Sequence, residues 1–173
     1  IVSVGRLTYQ KGFDMLIDVA KDVLEKNKEY KWLILGDGED KNRLQEKINK
    51  YNLQDRLILK GKVSNVEDYY KNSSLYVMTS RFEGLPMTLL EAKSYKMPIV
   101  SFDCPTGPSE IIRNNINGYL VKANDIKEMS NKVNSVLLDD KKLKKFSDKA
   151  ELDIDKFNIN SIINKWTNIL CTI

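Results

Sequence analysis

The chain has 173 residues, 42% of them hydrophobic and 30% charged, enough for one substantial buried core and short for two. Lysine and arginine exceed aspartate and glutamate by 28 to 24, a surplus too mild to mark nucleic-acid binding, and no apolar run approaches the ~20 residues needed to span a membrane. Histidine is absent, which removes a histidine general base, a Ser-His-Asp arrangement and a histidine-bound metal from the options within these residues.

Short apolar runs alternate with amphipathic stretches from the first residue onward. Ile1-Val2-Ser3-Val4 reads as a strand; because the chain opens on Ile1 inside it, a piece of a longer polypeptide is expected. The loop Gly5-Arg6-Leu7-Thr8-Tyr9-Gln10-Lys11-Gly12 follows, with Arg6 offering a planar fork of donors and Lys11 a mobile point charge. That pair could grip a diphosphate, or could simply be surface cations near a helix start. From about Gly12 to Lys26, Phe13, Leu16, Ile17, Ala20 and Leu24 share one helical face. Lys31 to Leu35 is the second strand, ending at Gly36-Asp37-Gly38, where close backbone approach and a plain turn are equally good readings. No third glycine follows at the spacing of a dinucleotide fingerprint.

Leu44, Ile48 and Tyr51 mark the next helix and Arg56 to Lys60 the third strand. Gly61-Lys62-Val63 could present backbone to a base edge or merely turn. Val66 to Asn72 forms a short helix, and Leu75 to Met78 the fourth strand.

Next comes the most specific segment, Phe82-Glu83-Gly84-Leu85-Pro86-Met87-Thr88-Leu89-Leu90-Glu91-Ala92, with two glutamates eight positions apart. Glycine and proline before an apolar helical run predict a helix from Pro86 to Tyr95, with Pro86 at its first position. The first turn of such a helix has backbone N–H groups without intrahelical partners and the positive end of the dipole, so it can receive a phosphate. Glu91, five residues on, would lie roughly 7–8 Å along the axis at ~1.5 Å per residue, a distance suited to the ribose of a nucleotide whose diphosphate rests on the helix tip. Taken singly, Glu83 could just complement the dipole and Glu91 lie on a solvated face.

Pro98 to Ser101 is the fifth strand, and Cys104-Pro105-Thr106-Gly107-Pro108-Ser109-Glu110 offers a second proline at a helix start. Cys104 reads as a small buried residue, and with Cys171 it has neither metal-ligand spacing nor a disulfide framework, which suits a reducing cytosol. Gly118 to Val121 is the last strand, after an Asn117-Gly118 turn; Ile126, Met129, Val133, Val136 and Leu137 form a helical stripe. Lys141-Lys142-Leu143-Lys144-Lys145-Phe146 reads as a solvated helix with Leu143 and Phe146 anchored in the core, or as a basic surface for an anionic membrane. A final amphipathic helix covers about 158–170. Repeated strand-helix alternation implies α/β architecture, a single Rossmann-like domain with a parallel sheet flanked by helices, ligands binding outside the carboxyl ends of the strands.

Gly5-Arg6-Leu7 with Lys11-Gly12, Glu83-Gly84-Leu85-Pro86 through Glu91-Ala92, and Asn117-Gly118-Tyr119-Leu120-Val121 together resemble the C-terminal, donor-binding domain of retaining GT-B glycosyltransferases of the glycosyltransferase group 1 family. The resemblance covers nearly all of residues 1–173. The segment from Asp103 to Ile112 is similar to members that build lipopolysaccharide, capsule or other cell-surface glycans.

The family implies transfer of a hexose from a nucleotide diphosphate sugar, UDP foremost, to an acceptor hydroxyl. Arg6, Lys11 and Glu83 would be the catalytic residues: the cations on the donor diphosphate, Glu83 on the sugar hydroxyls. Glu91 would accept from the ribose hydroxyls and Val63 would meet the base by its backbone. Gly5, Gly36, Gly38, Gly84, Leu85, Pro86, Met87, Thr88 and Leu89 would complete the donor site. The resemblance implies no cofactor and no metal in that site. It also implies an N-terminal acceptor domain, missing here, that would select a glycan or lipid-linked glycan and receive the last helix. Further expectations are a cytoplasmic location, peripheral contact with the inner face of the membrane, and little or no turnover by this domain alone. A non-catalytic nucleotide-sugar-binding module and a nucleotide-sugar epimerase of GT-B shape are the alternatives. The four polar residues together disfavour the former, and the glutamate spacing the latter.

Overall fold

The computed structural model describes residues 1–171. Six strands form one sheet: β1 (Val2–Val4), β2 (Trp32–Leu35), β3 (Leu57–Gly61), β4 (Tyr76–Met78), β5 (Ile99–Asp103) and β6 (Gly118–Lys122). Their order is β3-β2-β1-β4-β5-β6, and all five pairings are parallel. The order reverses between β1 and β4, the crevice where open α/β sheets take ligands.

The helices are α1 (Phe13–Lys26), α2 (Lys41–Lys50), α3 (Val66–Lys71), α4 (Met87–Ser94), α5 (Pro108–Ile111), α6 (Ile126–Leu137), α7 (Asp140–Asp148) and α8 (Ile159–Leu170). They cover both faces of the sheet, and successive strand residues divide between the two cores with the period of two that a pleat imposes. Val77, Val100 and Phe102 join Leu16, Ile17 and Leu24 of α1 and Met129 and Val133 of α6. Tyr76, Met78 and Ile99 join Tyr70 of α3, Leu89 and Ala92 of α4 and Ile111 of α5. Phe146 of α7 is buried and Leu143 packs beside the core, while Lys141, Lys144 and Lys145 are exposed.

Polar groups tie the strands that flank the crevice. Trp32 Nε1 donates to Ser3 Oγ at 3.0 Å, and Ser3 Oγ donates to the Val77 carbonyl at 2.7 Å, linking β2, β1 and β4 in sequence. Arg56 donates to the carbonyls of Leu24, Asn27 and Tyr30, satisfying groups that the end of α1 would otherwise leave open.

Three expectations need correcting. Pro86 is the N-cap of α4 in extended conformation (φ −74°, ψ 91°), not its first helical residue, and α4 ends at Ser94; Glu91 is therefore four residues beyond the first helical residue, not five. The stretch after β1 is not all loop, because Tyr9–Lys11 winds a short 3-10 turn that Gly12 closes at φ 63° before α1 begins at Phe13. Strand ends also shift, β1 starting at Val2 and β5 running on to Asp103. On α8, the side chains of Ile159, Ile163, Trp166, Ile169 and Leu170 are exposed. No helix among the described residues is long and apolar enough to cross a membrane.

Candidate functional site

The loops leaving β1 and β4 are drawn together by a dense set of contacts. Lys11 lies with its aliphatic stem over Gly5, where an added Cβ would come within 3.3 Å of it. Its ammonium reaches across to Glu83, Nζ to Oε1 at 2.7 Å, and Ser80 Oγ donates to the same oxygen at 2.6 Å. The Glu83 side chain is only 6% exposed and that of Lys11 20%, so the pair is largely withdrawn from water. Arg6 is exposed at the mouth of the loop.

Arg81, immediately after Ser80, clamps the arrangement. It forms a two-pronged ion pair with Asp14 of α1, at 2.8 and 2.7 Å, and donates to the Tyr9 carbonyl at 2.8 Å. Its guanidinium lies 4.0 Å from the centre of the Tyr9 ring. Gln10 adds a side-chain bond to the Phe82 carbonyl at 3.1 Å. Burial pushes the Asp14 carboxyl up, but the hydrogen bond and charge of Arg81 win and hold it below its ordinary 3.8.

On the other side of β1, a recess of about 180 Å³ is lined by Val4, Gly5, Leu35, Gly36, Lys62, Val63 and Val66. Its apolar walls and glycine backbone can take a flat ring. Gly36 has φ 138° and lies against the Gly5 carbonyl so closely that any Cβ would collide with it. Gly38 packs against the Leu7 backbone in the same way, and Leu7 N donates to Asp37 O at 3.0 Å. Both glycines therefore bring the first and second loops into backbone contact. Gly36 also lines the recess; Gly38 does not appear among its walls.

The Glu83-to-Leu89 segment is braced from behind by the loop after β5. Thr106 Oγ donates to the Glu83 carbonyl, and Glu83 N donates to Pro105 O at 3.4 Å. Gly107, at φ 92°, is pressed onto Pro86 and Gly84, with room for no side chain. Gly84 itself has open space around it. Leu85 and Met87 are exposed at the tip of α4, Thr88 is half-buried, Pro86 is buried, and Leu89 turns fully into the core. The Leu89 amide is itself spent, donating to the Pro86 carbonyl at 2.9 Å, so Leu89 offers a ligand neither its side chain nor its N–H.

Further along α4, Glu91 is exposed, and its Oε2 accepts from the buried Tyr70 hydroxyl at 2.8 Å. Lys93, 1% exposed, donates to the carbonyls of Ile111 and Leu152 at 2.8 and 2.7 Å, anchoring the helix. Burial draws its ammonium below the ordinary lysine range. A broader cavity of about 890 Å³ opens beyond the braced segment, with Asp103, Thr106, Ser109, Asn114 and Lys122 among its walls. Cys104 lies at its inner edge, 2% exposed, its thiol pushed up to about 11 by burial and then by the Glu83 charge.

The structure thus joins Lys11 directly to Glu83, gathers Gly5, Gly36 and Val63 around one recess, and puts Glu91 on the same helix as the Met87 and Thr88 amides. Ser80, Arg81 and Tyr70 are additions that the sequence did not single out. Their partners lie 3, 67 and 21 positions away; only the first could have been read locally, and a serine before Glu83 carries no distinguishing pattern. Chemically, Lys11 and the α4 tip can meet an anion, with Arg6 exposed on the same loop as Lys11, two carboxylates can accept from hydroxyls, and the recess beside Val63 can house an aromatic ring.

The family model described as glycosyl transferases group 1 matches residues 1–153. The amylovoran biosynthesis glycosyltransferase AmsD of Erwinia amylovora is 39% identical over 170 residues, which is 98% of this chain and 47% of that protein. The poly(ribitol-phosphate) alpha-N-acetylglucosaminyltransferase of Staphylococcus aureus is 34% identical over 96% of this chain and 34% of its own. Among solved structures, a mutant of S. aureus TarM in complex with fondaparinux, alpha-GlcNAc-glycerol and UDP superposes with a TM-score of 0.91 at 34% identity, over 96% of this chain and 34% of that one. The lipopolysaccharide outer core galactosyltransferase WaaB, in its apo form, matches with a TM-score of 0.84 at 28% identity, over 99% of this chain and 49% of that one. This chain spans about half the length of these relatives, or less.

Proposed function

The chain belongs to the glycosyl transferases group 1 family, and we propose that it is the donor-binding domain of a retaining glycosyltransferase that moves a hexose from a nucleotide diphosphate sugar to an acceptor hydroxyl. The observation that carries this reading is the Lys11–Glu83 pair at the crevice between β1 and β4. It sits between a ring-sized recess on one side and the larger cavity, with its mixed polar and apolar walls, on the other. A nucleoside, a diphosphate and a sugar would occupy these three places in order.

In this reading Arg6 and Lys11 hold the diphosphate and stabilise the charge that grows on it as the sugar leaves. The ion pair need not open for this, because an ammonium has three donors and Glu83 takes one of them. Glu83, fixed by Lys11 and Ser80, keeps its second oxygen for a sugar hydroxyl. The backbone amides of Leu85, Met87 and Thr88 meet phosphate and sugar oxygens, Glu91 meets the ribose, and the Val63 backbone meets the base; Pro86 has no N–H and that of Leu89 is bonded to the Pro86 carbonyl. Two cations and a helix tip supply the charge compensation, so we assign no metal to the site. UDP is the preferred nucleotide because TarM, at 34% identity, is described in complex with UDP.

The relatives named for amylovoran biosynthesis and for poly(ribitol-phosphate) glycosylation support a role in cell-surface polysaccharide biosynthesis. We assign acceptor selection to a further, N-terminal domain of the full chain, in keeping with the share of its relatives that this chain covers. Lys141, Lys144 and Lys145 on α7 are exposed and would favour a cytoplasmic enzyme that touches an anionic membrane face.

Titration with UDP, GDP and their sugars tests the proposal. Binding of UDP at or below millimolar concentration is expected, with a loss in the Arg6→Ala/Lys11→Ala double variant. No binding at millimolar ligand, or a double variant that binds as well as the parent, would count against it. NMR of the product made by the full chain should show the anomeric configuration of the donor retained.

A further inference from the structure

Glu91 has a partner that nothing in its own sequence neighbourhood reveals. Tyr70 is 2% exposed, a single ring from α3 slotted beneath α4. It stacks on Tyr95 with centroids 5.5 Å apart and an interplanar angle of 21°, and it tilts against Tyr76 at 6.1 Å. Held between two other rings, its hydroxyl can point only along a narrow range of directions, and it meets Glu91 Oε2 at 2.8 Å.

An exposed glutamate on a helix ordinarily samples several rotamers, and fixing one of them costs side-chain entropy each time a ligand binds. Tyr70 removes much of that cost in advance. It also divides the carboxylate: Oε2 is engaged by the phenol, while Oε1 and the remaining lone pair of Oε2 stay available. Two acceptor positions on one planar group match two hydroxyls on adjacent carbons. The phenol stays a donor throughout the working pH range, because burial, then the neighbouring Tyr76 and the bond to Glu91, raise its ionisation well above the ordinary tyrosine range.

We propose that Tyr70 is a positioning residue that holds the Glu91 carboxylate for the 2′- and 3′-hydroxyls and so makes the site prefer ribonucleotide donors over 2′-deoxyribonucleotide ones. This rests on the reading of Glu91 as the ribose ligand. A ligand lacking the 2′-hydroxyl leaves one preset acceptor unfilled, and the penalty depends on how rigidly that acceptor is held.

Calorimetric titration of the full chain with UDP, 2′-deoxy-UDP and pyrophosphate tests this in the parent, Tyr70→Phe, Glu91→Ala and the double variant. Tyr70→Phe keeps the stacked ring and loses only the hydroxyl. It should weaken UDP roughly 3- to 10-fold, shrink the preference for UDP over 2′-deoxy-UDP, and leave pyrophosphate unchanged. The double variant should lose no more than Glu91→Ala. The ratio of affinities does not depend on the fraction of folded protein, so a lower melting point would not obscure it. Equal weakening of all three ligands, or an unchanged ratio, in Tyr70→Phe overturns the positioning role while a collapsed ratio in Glu91→Ala leaves the ribose reading standing. An unchanged ratio in Glu91→Ala overturns both.

Discussion

Lys11 and Glu83 stand 72 positions apart in the chain and share one ion pair, Nζ to Oε1 at 2.7 Å, whose carboxylate is 6% exposed. A charge buried to that degree is tolerable only while its partners are present. The contact that carries the proposed function therefore also contributes to folding.

Lys11→Ala should leave Glu83 with Ser80 alone and destabilise the domain by roughly 1–3 kcal/mol, less than for a fully buried pair because the lysine side is partly wet. Adding Glu83→Gln should recover most of that stability without recovering nucleotide affinity. Denaturant unfolding and UDP titration of the two variants separate the roles. If the double variant were no more stable than Lys11→Ala, the uncompensated carboxylate would not be the cause.

The Arg81–Asp14 pair gives a pH signature. Asp14 ionises below 3.8 in the fold, so its contribution is fully present above that value and is lost as pH falls through the lower folded value. Asp14→Asn should cost about 1 kcal/mol at neutral pH, the pair being partly exposed and bidentate. The gap between parent and variant should close only below pH 3.8. Melting curves of both proteins from neutral to acid pH report it, and a gap that closes near neutrality would point to another group.

Two glycines of one segment should behave oppositely. Gly107, at φ 92° against Pro86 and Gly84, should lose on the order of 1–3 kcal/mol as alanine and misplace the tip of α4. Gly84 has open space around it, and its alanine variant should fold within about 0.5 kcal/mol of the parent. Under the proposed function Gly84→Ala still weakens UDP-sugar more than UDP, because its added methyl stands where the sugar approaches. Thermal melts and paired titrations distinguish the two positions.

The cysteines should differ in reactivity. Cys171 is exposed and Cys104 buried, the latter with its thiol pushed up to about 11. A maleimide at neutral pH should label Cys171 quickly and Cys104 only on unfolding. Rapid labelling of both in the native protein would show that the loop after β5 opens.

Much of this was visible in the sequence, for local reasons. Alternating apolar runs and helical stripes place the six strands and most of the longer helices within a residue or two, since burial on a two-faced parallel sheet imposes those periods directly, while α2 begins at Lys41, three residues before its first apolar mark. Pro86 was misplaced because a proline fits both the N-cap and the first helical position, and its ψ of 91° follows from the loop around Gly107, not from its neighbours in sequence. The turn Tyr9–Lys11 carries no strong signal in its own residues; it is held by Arg81, which reaches it from the loop after β4, and by the bond that Gln10 donates to the Phe82 carbonyl of that loop. Tyr70 looked like any aromatic on a short helix. Its meaning depends on Tyr95 and Glu91, which only the packing of α3 under α4 brings to it.

The seam between β1 and β4 has a consequence for how the domain comes into being. It pairs Val2 with Tyr76 and is reinforced by Val2 N to Leu75 O and by Ser3 to Val77, groups 74 positions apart in the last case. Closing a loop of that length is slow and entropically costly before the contacts it enables can form. During synthesis, a chain halted before Tyr76 already has the residues of the recess beside Val63 and Lys11, with no glutamate yet opposite the lysine. Under the proposed function, sugar-nucleotide affinity should accordingly arise at once, when the seam shuts, and not by degrees as the chain grows.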